Sequence, residues 1–132
     1  NKVQILGRCN YMKQKALYYH EKGYNCSFVI LKAGAEKYGI DLPEEAEQSC
    51  CAVSSGFGVG SICCALVGAV LLFGLLFSEE KAKTLRMQLF VLFHDKYESL
   101  NCCAISAHRQ DCIEVIGDIA VLTEELIEKN KS

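Results

Sequence analysis

The chain has 132 residues, 51% of them apolar, with a formal net charge of −2. That is enough for one domain with its own core, and too apolar for a disordered chain. Lys and Arg are scattered among acids, which excludes a nucleic-acid surface, and a single proline excludes a turn-rich all-β fold.

The elements follow in chain order. Gln4 to about Lys22 reads as a first helix, with Ile5, Cys9, Met12, Ala16 and His20 on one face and Gly23 as its stop. Asn25 caps a second helix from Cys26 to about Tyr38, apolar on most sides and closed by Gly39. Asp41-Leu42-Pro43-Glu44-Glu45 opens a short third helix carrying Cys50 and Cys51, with proline and acids in its first turn. A glycine-rich loop, Ser54 to Ser61, leads into an uncharged fourth helix from Ile62 to Phe77. Ser78-Glu79-Glu80 caps a fifth helix running to about Tyr97. Glu98 to Arg109 reads as a connector holding Cys102 and Cys103. The last helix runs from about Asp111 to Glu128, with Cys112, Val115, Ile116, Ile119, Leu122 and Leu126 as its inner stripe and a solvated acidic face at Glu124 to Glu128.

The expected architecture is therefore all-α: one cysteine-rich domain over residues 1–132, a bundle of five to seven helices around a buried central helix. The fourth helix is that centre. Cys50 to Ser78 carries no charge, but its first part is rich in Gly and Ser, and the remaining Ile62–Phe77 is short of the roughly 20 apolar residues that a spanning helix needs. No membrane insertion is expected.

Nine cysteines dominate the chemistry, and an odd count leaves one thiol over in any intramolecular disulfide scheme. Cys50-Cys51, Cys63-Cys64 and Cys102-Cys103 are adjacent pairs, which rarely bond to each other because the ring strains the peptide between them. Free thiols in a reducing, cytoplasmic setting are the expectation. No secretion signal opens the chain, although it starts at Asn1 and not at Met, which leaves an earlier leader open.

Cys26, Cys63 and Cys112 fall near helix starts and Cys102 lies in the connector. Helix N-termini offer free N–H groups and a positive dipole end, both of which stabilise thiolates. Thiolates are soft donors suited to zinc or to iron–sulfur clusters. Glycines before Cys63 would let backbone N–H groups approach bridging sulfides. No Cys-x-x-Cys is present, so neither zinc-ribbon nor ferredoxin signatures are met.

Asn25-Cys26, Gly56-Phe57-Gly58, Cys63-Cys64-Ala65-Leu66-Val67-Gly68-Ala69, Asn101-Cys102 and Cys112 together resemble a redox-active family whose name writes its pattern as C, GCAxxG, C, C. The resemblance spans roughly Gly23 to Leu126 and extends to the iron–sulfur domain of split-Soret cytochromes. It implies a helical protein binding an iron–sulfur cluster, [2Fe–2S] before [4Fe–4S], that transfers electrons or senses redox state beside an oxidoreductase or transporter. The implied metal ligands are Cys26, Cys63, Cys102 and Cys112, with Cys64 and Cys103 as further cofactor-binding candidates. One departure stands out: the glycine before the motif's cysteine is itself Cys63 here, so Cys64 is the ligand if GCAxxG is read literally.

Two other classes compete: a structural zinc domain, and a metal-free thiol–disulfide protein. No nucleophile–base pair or substrate motif is visible, so a non-catalytic redox protein is expected over an enzyme. Its expected partners are a redox partner protein and, in a homodimer, a second copy. Cys9 reads as core. His20, His94 and His108 lack i, i+4 partners and read as structural, and the glycine loop lacks the Lys-Ser/Thr of a phosphate cradle.

Overall fold

The computed structural model describes residues 11–54, 56–107, 109 and 111–131. Seven α-helices lie among them: α1 (Tyr11–Glu21), α2 (Cys26–Tyr38), α3 (Glu45–Cys50), α4 (Cys64–Leu76), α5 (Glu79–Tyr97), α6 (Cys102–Ser106) and α7 (Ile113–Asn130). The fold is all-α, and its single β-bridge among the described residues pairs Ile62 with Asn101. The expected start of the first helix, with Ile5 and Cys9, lies outside the described residues.

Local chemistry sets the helix ends. Asn25 Oδ1 accepts from the N–H of Ser27 at 2.9 Å and from its hydroxyl at 2.7 Å, fixing the start of α2. Gly39, at φ 72°, closes it with an N–H donated to Ala35 O. α3 starts at Glu45 and not at Asp41, because Leu42 precedes Pro43 and is biased toward extended backbone. Ser78 caps α5 through the N–H of Lys81.

α4 packs against α2, α5 and α7, and α1 packs against α2 and α7. Leu66, Leu72 and Phe73 of α4 meet Ile30 of α2, Leu89 and Phe93 of α5 and Ile116 of α7 in one buried cluster. The central helix is not apolar-covered on every side, however: Leu71 and Leu75 are 45% and 52% exposed. Among the described residues, no helix is long and apolar enough to cross a membrane.

Two readings of the sequence need correction. The connector after α5 contains the helix α6, because Cys102 N–H donates to Ser61 O at 2.6 Å and Asn101 O accepts from Ile105, tying the segment to the glycine loop and starting a turn. Glu124 is not on a solvated face. It is fully buried, where Lys37 Nζ stands 2.6 Å from one carboxylate oxygen and the Met12 N–H donates to the other at 2.9 Å.

Candidate cysteine redox site

Four helix starts meet at one end of the bundle. Cys26 is the first residue of α2, Cys63 is the N-cap of α4, Cys102 is the first residue of α6 and Cys112 is the N-cap of α7. They line one cavity of about 240 Å³, together with Cys64, Tyr24, Asn25, Ser54, Ala65, Val115 and Ile116. No charged side chain is among these lining residues.

Backbone bonds hold the cavity walls. Cys63 N–H donates to Leu100 O at 2.9 Å, so the start of α4 is clamped to the segment before α6. The Ile62–Asn101 bridge extends the clamp by one residue on each side. The start of α2 reaches α4 because residue 68 is glycine: a β-carbon there would overlap the carbonyl oxygen of Ser27.

Cys64 holds the central position among the thiols. It donates a hydrogen bond to the Cys26 sulfur, and this bond holds Cys26 below its ordinary value, against the opposing effects of burial and of the sulfurs of Cys112, Cys63 and Cys102. Cys64 also faces Cys102 and Cys112 electrostatically. Burial raises both of those thiols, helped by their sulfur neighbours and opposed at Cys102 by Ser106 and at Cys112 by Arg109. Burial pushes Cys63 from 9.0 to about 12, against the opposing influence of the nearby Ala65 and Leu66 backbone N–H groups. Cys63 is the N-cap residue of α4, with non-helical backbone at φ −55° and ψ 127°, and its side chain makes no capping hydrogen bond. Two neighbours on one helical turn would point about 100° apart. The non-helical backbone of Cys63 lets both sulfurs face the cavity.

The remaining sequence candidates lie elsewhere. Cys103 is exposed and lies off the cavity, against Gly60, where an added β-carbon would stand 3.2 Å from its sulfur. Of the glycine loop, only its first residue, Ser54, lines the cavity among the described residues. The loop's close approach serves Cys102 and Cys103, whose β-carbons fill the spaces beside Gly56 and Gly60. Cys50 is buried away from the cavity, where its carbonyl accepts from the Ser27 hydroxyl, and Cys51 is exposed. His20 and His94 do not line the cavity, and Cys9 and His108 lie outside the described residues. Tyr24 and Ser54 are lining residues that the sequence did not single out. Tyr24 follows a helix-ending glycine and its ring packs 5.5 Å from Phe28, a cue visible only in retrospect, and Ser54 has none.

Among the described residues, no three His, Cys, Asp or Glu side chains close on one point as a single bound ion needs. Tetrahedral zinc thiolates sit at about 2.3 Å from the metal, which draws the sulfurs together. Here the sulfurs stand around a space instead. The donors that ring it are soft and uncharged when protonated, with apolar walls behind them, and this set fits a thiophilic group of several atoms.

The family model described as "Putative redox-active protein (C_GCAxxG_C_C)" matches residues 24–126. No curated protein and no solved structure matches the chain.

Proposed function

Since the chain belongs to the C_GCAxxG_C_C family of redox-active proteins, we propose that it is a redox protein whose cavity thiols hold an iron–sulfur cluster of the [2Fe–2S] type and that it passes electrons to a partner protein. The observation that carries this reading is the meeting of Cys26, Cys64, Cys102 and Cys112 around one cavity at four helix starts. Those are the four sulfurs the pattern names when GCAxxG is read literally, with Cys64 ahead of Cys63 because it hydrogen-bonds Cys26 and faces Cys102 and Cys112.

Such a cluster, when bound, takes up and releases single electrons. The protein's own part is to hold and tune it. Cys26, Cys64, Cys102 and Cys112 each give up a proton to become thiolate ligands. The positive ends of α2, α4 and α7 offset the gathered negative charge. Arg109, beside Cys112 and 5.0 Å over the Tyr97 ring, adds a fixed cation at the rim. Tyr24, Val115 and Ile116 supply the apolar part of the wall, while Cys26, Cys102 and Cys112 stay partly exposed, and this balance bears on the potential.

Purification without oxygen tests the reading. The expected result is a coloured protein with charge-transfer absorption and with iron and labile sulfide in equal amounts per chain. Neither iron nor sulfide in protein never exposed to air would overturn it.

One contact favours a second reading. Cys26, with its lowered proton affinity and Cys64 as hydrogen-bond donor, has the arrangement of an attacking thiolate beside a resolving thiol. In a metal-free protein these two thiols would lose two electrons and two protons to a partner's disulfide, leaving a Cys26–Cys64 disulfide here and two thiols there. The anaerobic iron and sulfide count separates the two readings.

A further inference from the structure

The family pattern has glycine where this chain has Cys63, and the fifth sulfur that results is built into the cavity. Cys63 is 8% exposed, lines the same space as Cys64, and has Cys64 and Cys102 as electrostatic neighbours. Nothing in the backbone demands a special residue at this position. Its φ of −55° is open to any residue, and its N–H is already committed to Leu100 O. Nor is the sulfur tied up in capping α4: it makes no capping hydrogen bond and lies buried on the cavity wall.

We propose that Cys63 is a reserve ligand, able to take the place of Cys64 on the iron–sulfur group. The inference rests on the cluster reading above. The exchange is a ligand substitution. The bond between iron and the Cys64 sulfur breaks and the released thiolate takes up a proton, or that position is open because Cys64 is modified or replaced; a bond to the Cys63 sulfur forms and the Cys63 proton passes to solvent. No electron is transferred. The two sulfurs sit on consecutive residues that both face the cavity, so the exchange needs a side-chain rotation and a small movement of the α4 cap, and no rearrangement of the helices. The site would then survive oxidation or alkylation of Cys64, which a single-cysteine motif would not.

The test is anaerobic reconstitution with ferrous iron and sulfide of four proteins: the parent, Cys63→Gly, Cys64→Ala and the double variant. Bound iron, labile sulfide and the visible spectrum are read for each, and far-UV circular dichroism checks the fold. Cys63→Gly should load like the parent with an unchanged spectrum. Cys64→Ala should retain most of the iron, with shifted absorption bands because one ligand has a new geometry. The double variant should fall at least about tenfold below the parent in iron affinity. Cys64→Ala binding no more iron than the double variant overturns the proposal. Loss of iron in Cys63→Gly with full retention in Cys64→Ala also overturns it, by making Cys63 the resident ligand. If Cys64→Ala does not fold, Cys64→Val, closer in volume to cysteine, takes its place. A parent protein that never loads iron defeats the cluster reading instead, so the two failures are distinguishable.

Discussion

Gly68 packs face to face with the carbonyl of Ser27, with no room between them for a β-carbon. This contact sets how closely α4 crosses the first turn of α2, and hence how closely Cys64 approaches Cys26. The last glycine of the GCAxxG pattern is thus a spacing residue for the two sulfurs. Gly68→Ala would force backbone against backbone, which cannot relax by a rotamer change. The expected loss is about 2–3 kcal/mol of folding stability, from overpacking. Chemical denaturation should show it as a lower midpoint, and iron loading of the folded fraction should fall as well. Unchanged stability and unchanged loading would mean that the helices are free to separate there.

The buried Glu124 makes a second prediction. It joins Lys37 of α2 to the start of α1 through the Met12 N–H. Lys37 is partly exposed and keeps Glu128 at 4.0 Å, so the main loss on removing Glu124 is its buried contact with the Met12 N–H. Glu124→Ala should therefore cost about 1–3 kcal/mol, whereas Lys83→Ala, at the exposed Lys83–Glu79 pair, should cost well under about 1 kcal/mol. Thermal and urea unfolding of the two variants against the parent measure the contrast. Equal small losses would remove Glu124 from the core's supports.

Much of this architecture is legible in the sequence where local rules decide it. Asn25, Gly39 and Ser78 cap the helices that their positions announce, and the uncharged run of α4 does form the centre. Long-range pairing escaped that reading. α6 exists because its first N–H finds Ser61 O across forty residues, and no periodicity in five residues could signal it. Glu124 looked solvated because its neighbours Glu125 and Glu128 are acidic; only the approach of Lys37 shows why it is buried. At the site, the four cysteine positions come from the motif, while the inward turn of both Cys63 and Cys64 depends on one non-helical residue at a helix cap. The glycine loop misled for a related reason. Its open spaces pointed to a ligand, but they are filled by the side chains of Cys102 and Cys103.

The Cys64 hydrogen bond predicts an ordering of thiol reactivity. In reduced, metal-free protein, Cys26 should be alkylated at lower pH than Cys112, because only Cys26 is held below its ordinary value. Cys64→Ala removes the donor, and burial and the neighbouring sulfurs then act unopposed on Cys26. Its alkylation profile should move to higher pH in that variant. Mass spectrometry of each cysteine after iodoacetamide pulses at several pH values reads both effects. A Cys26 profile that does not move when Cys64 is replaced would assign the lowered value to another cause.

Cys63 predicts the pH dependence of folding in the metal-free protein. Its thiol keeps a proton up to about 12 when folded, against an ordinary value of 9.0. Between those values the unfolded chain has lost this proton and the folded chain retains it. The folded state then binds more protons, so stability falls as pH rises. The contribution is fully present below about pH 9, where both states are protonated, and is lost progressively as pH climbs toward the folded value. Burial of Tyr19 and Tyr97, hydrogen-bonded to Glu36 and Asp118, acts in the same direction, so the alkaline decline is shared. The part due to Cys63 is the difference between the parent and Cys63→Ala. Urea midpoints measured under reducing, metal-free conditions from about pH 8 to about pH 11 should drop more steeply in the parent than in Cys63→Ala. Parallel declines in the two proteins would show that the buried sulfur at the α4 cap does not hold its proton more tightly than the unfolded chain does.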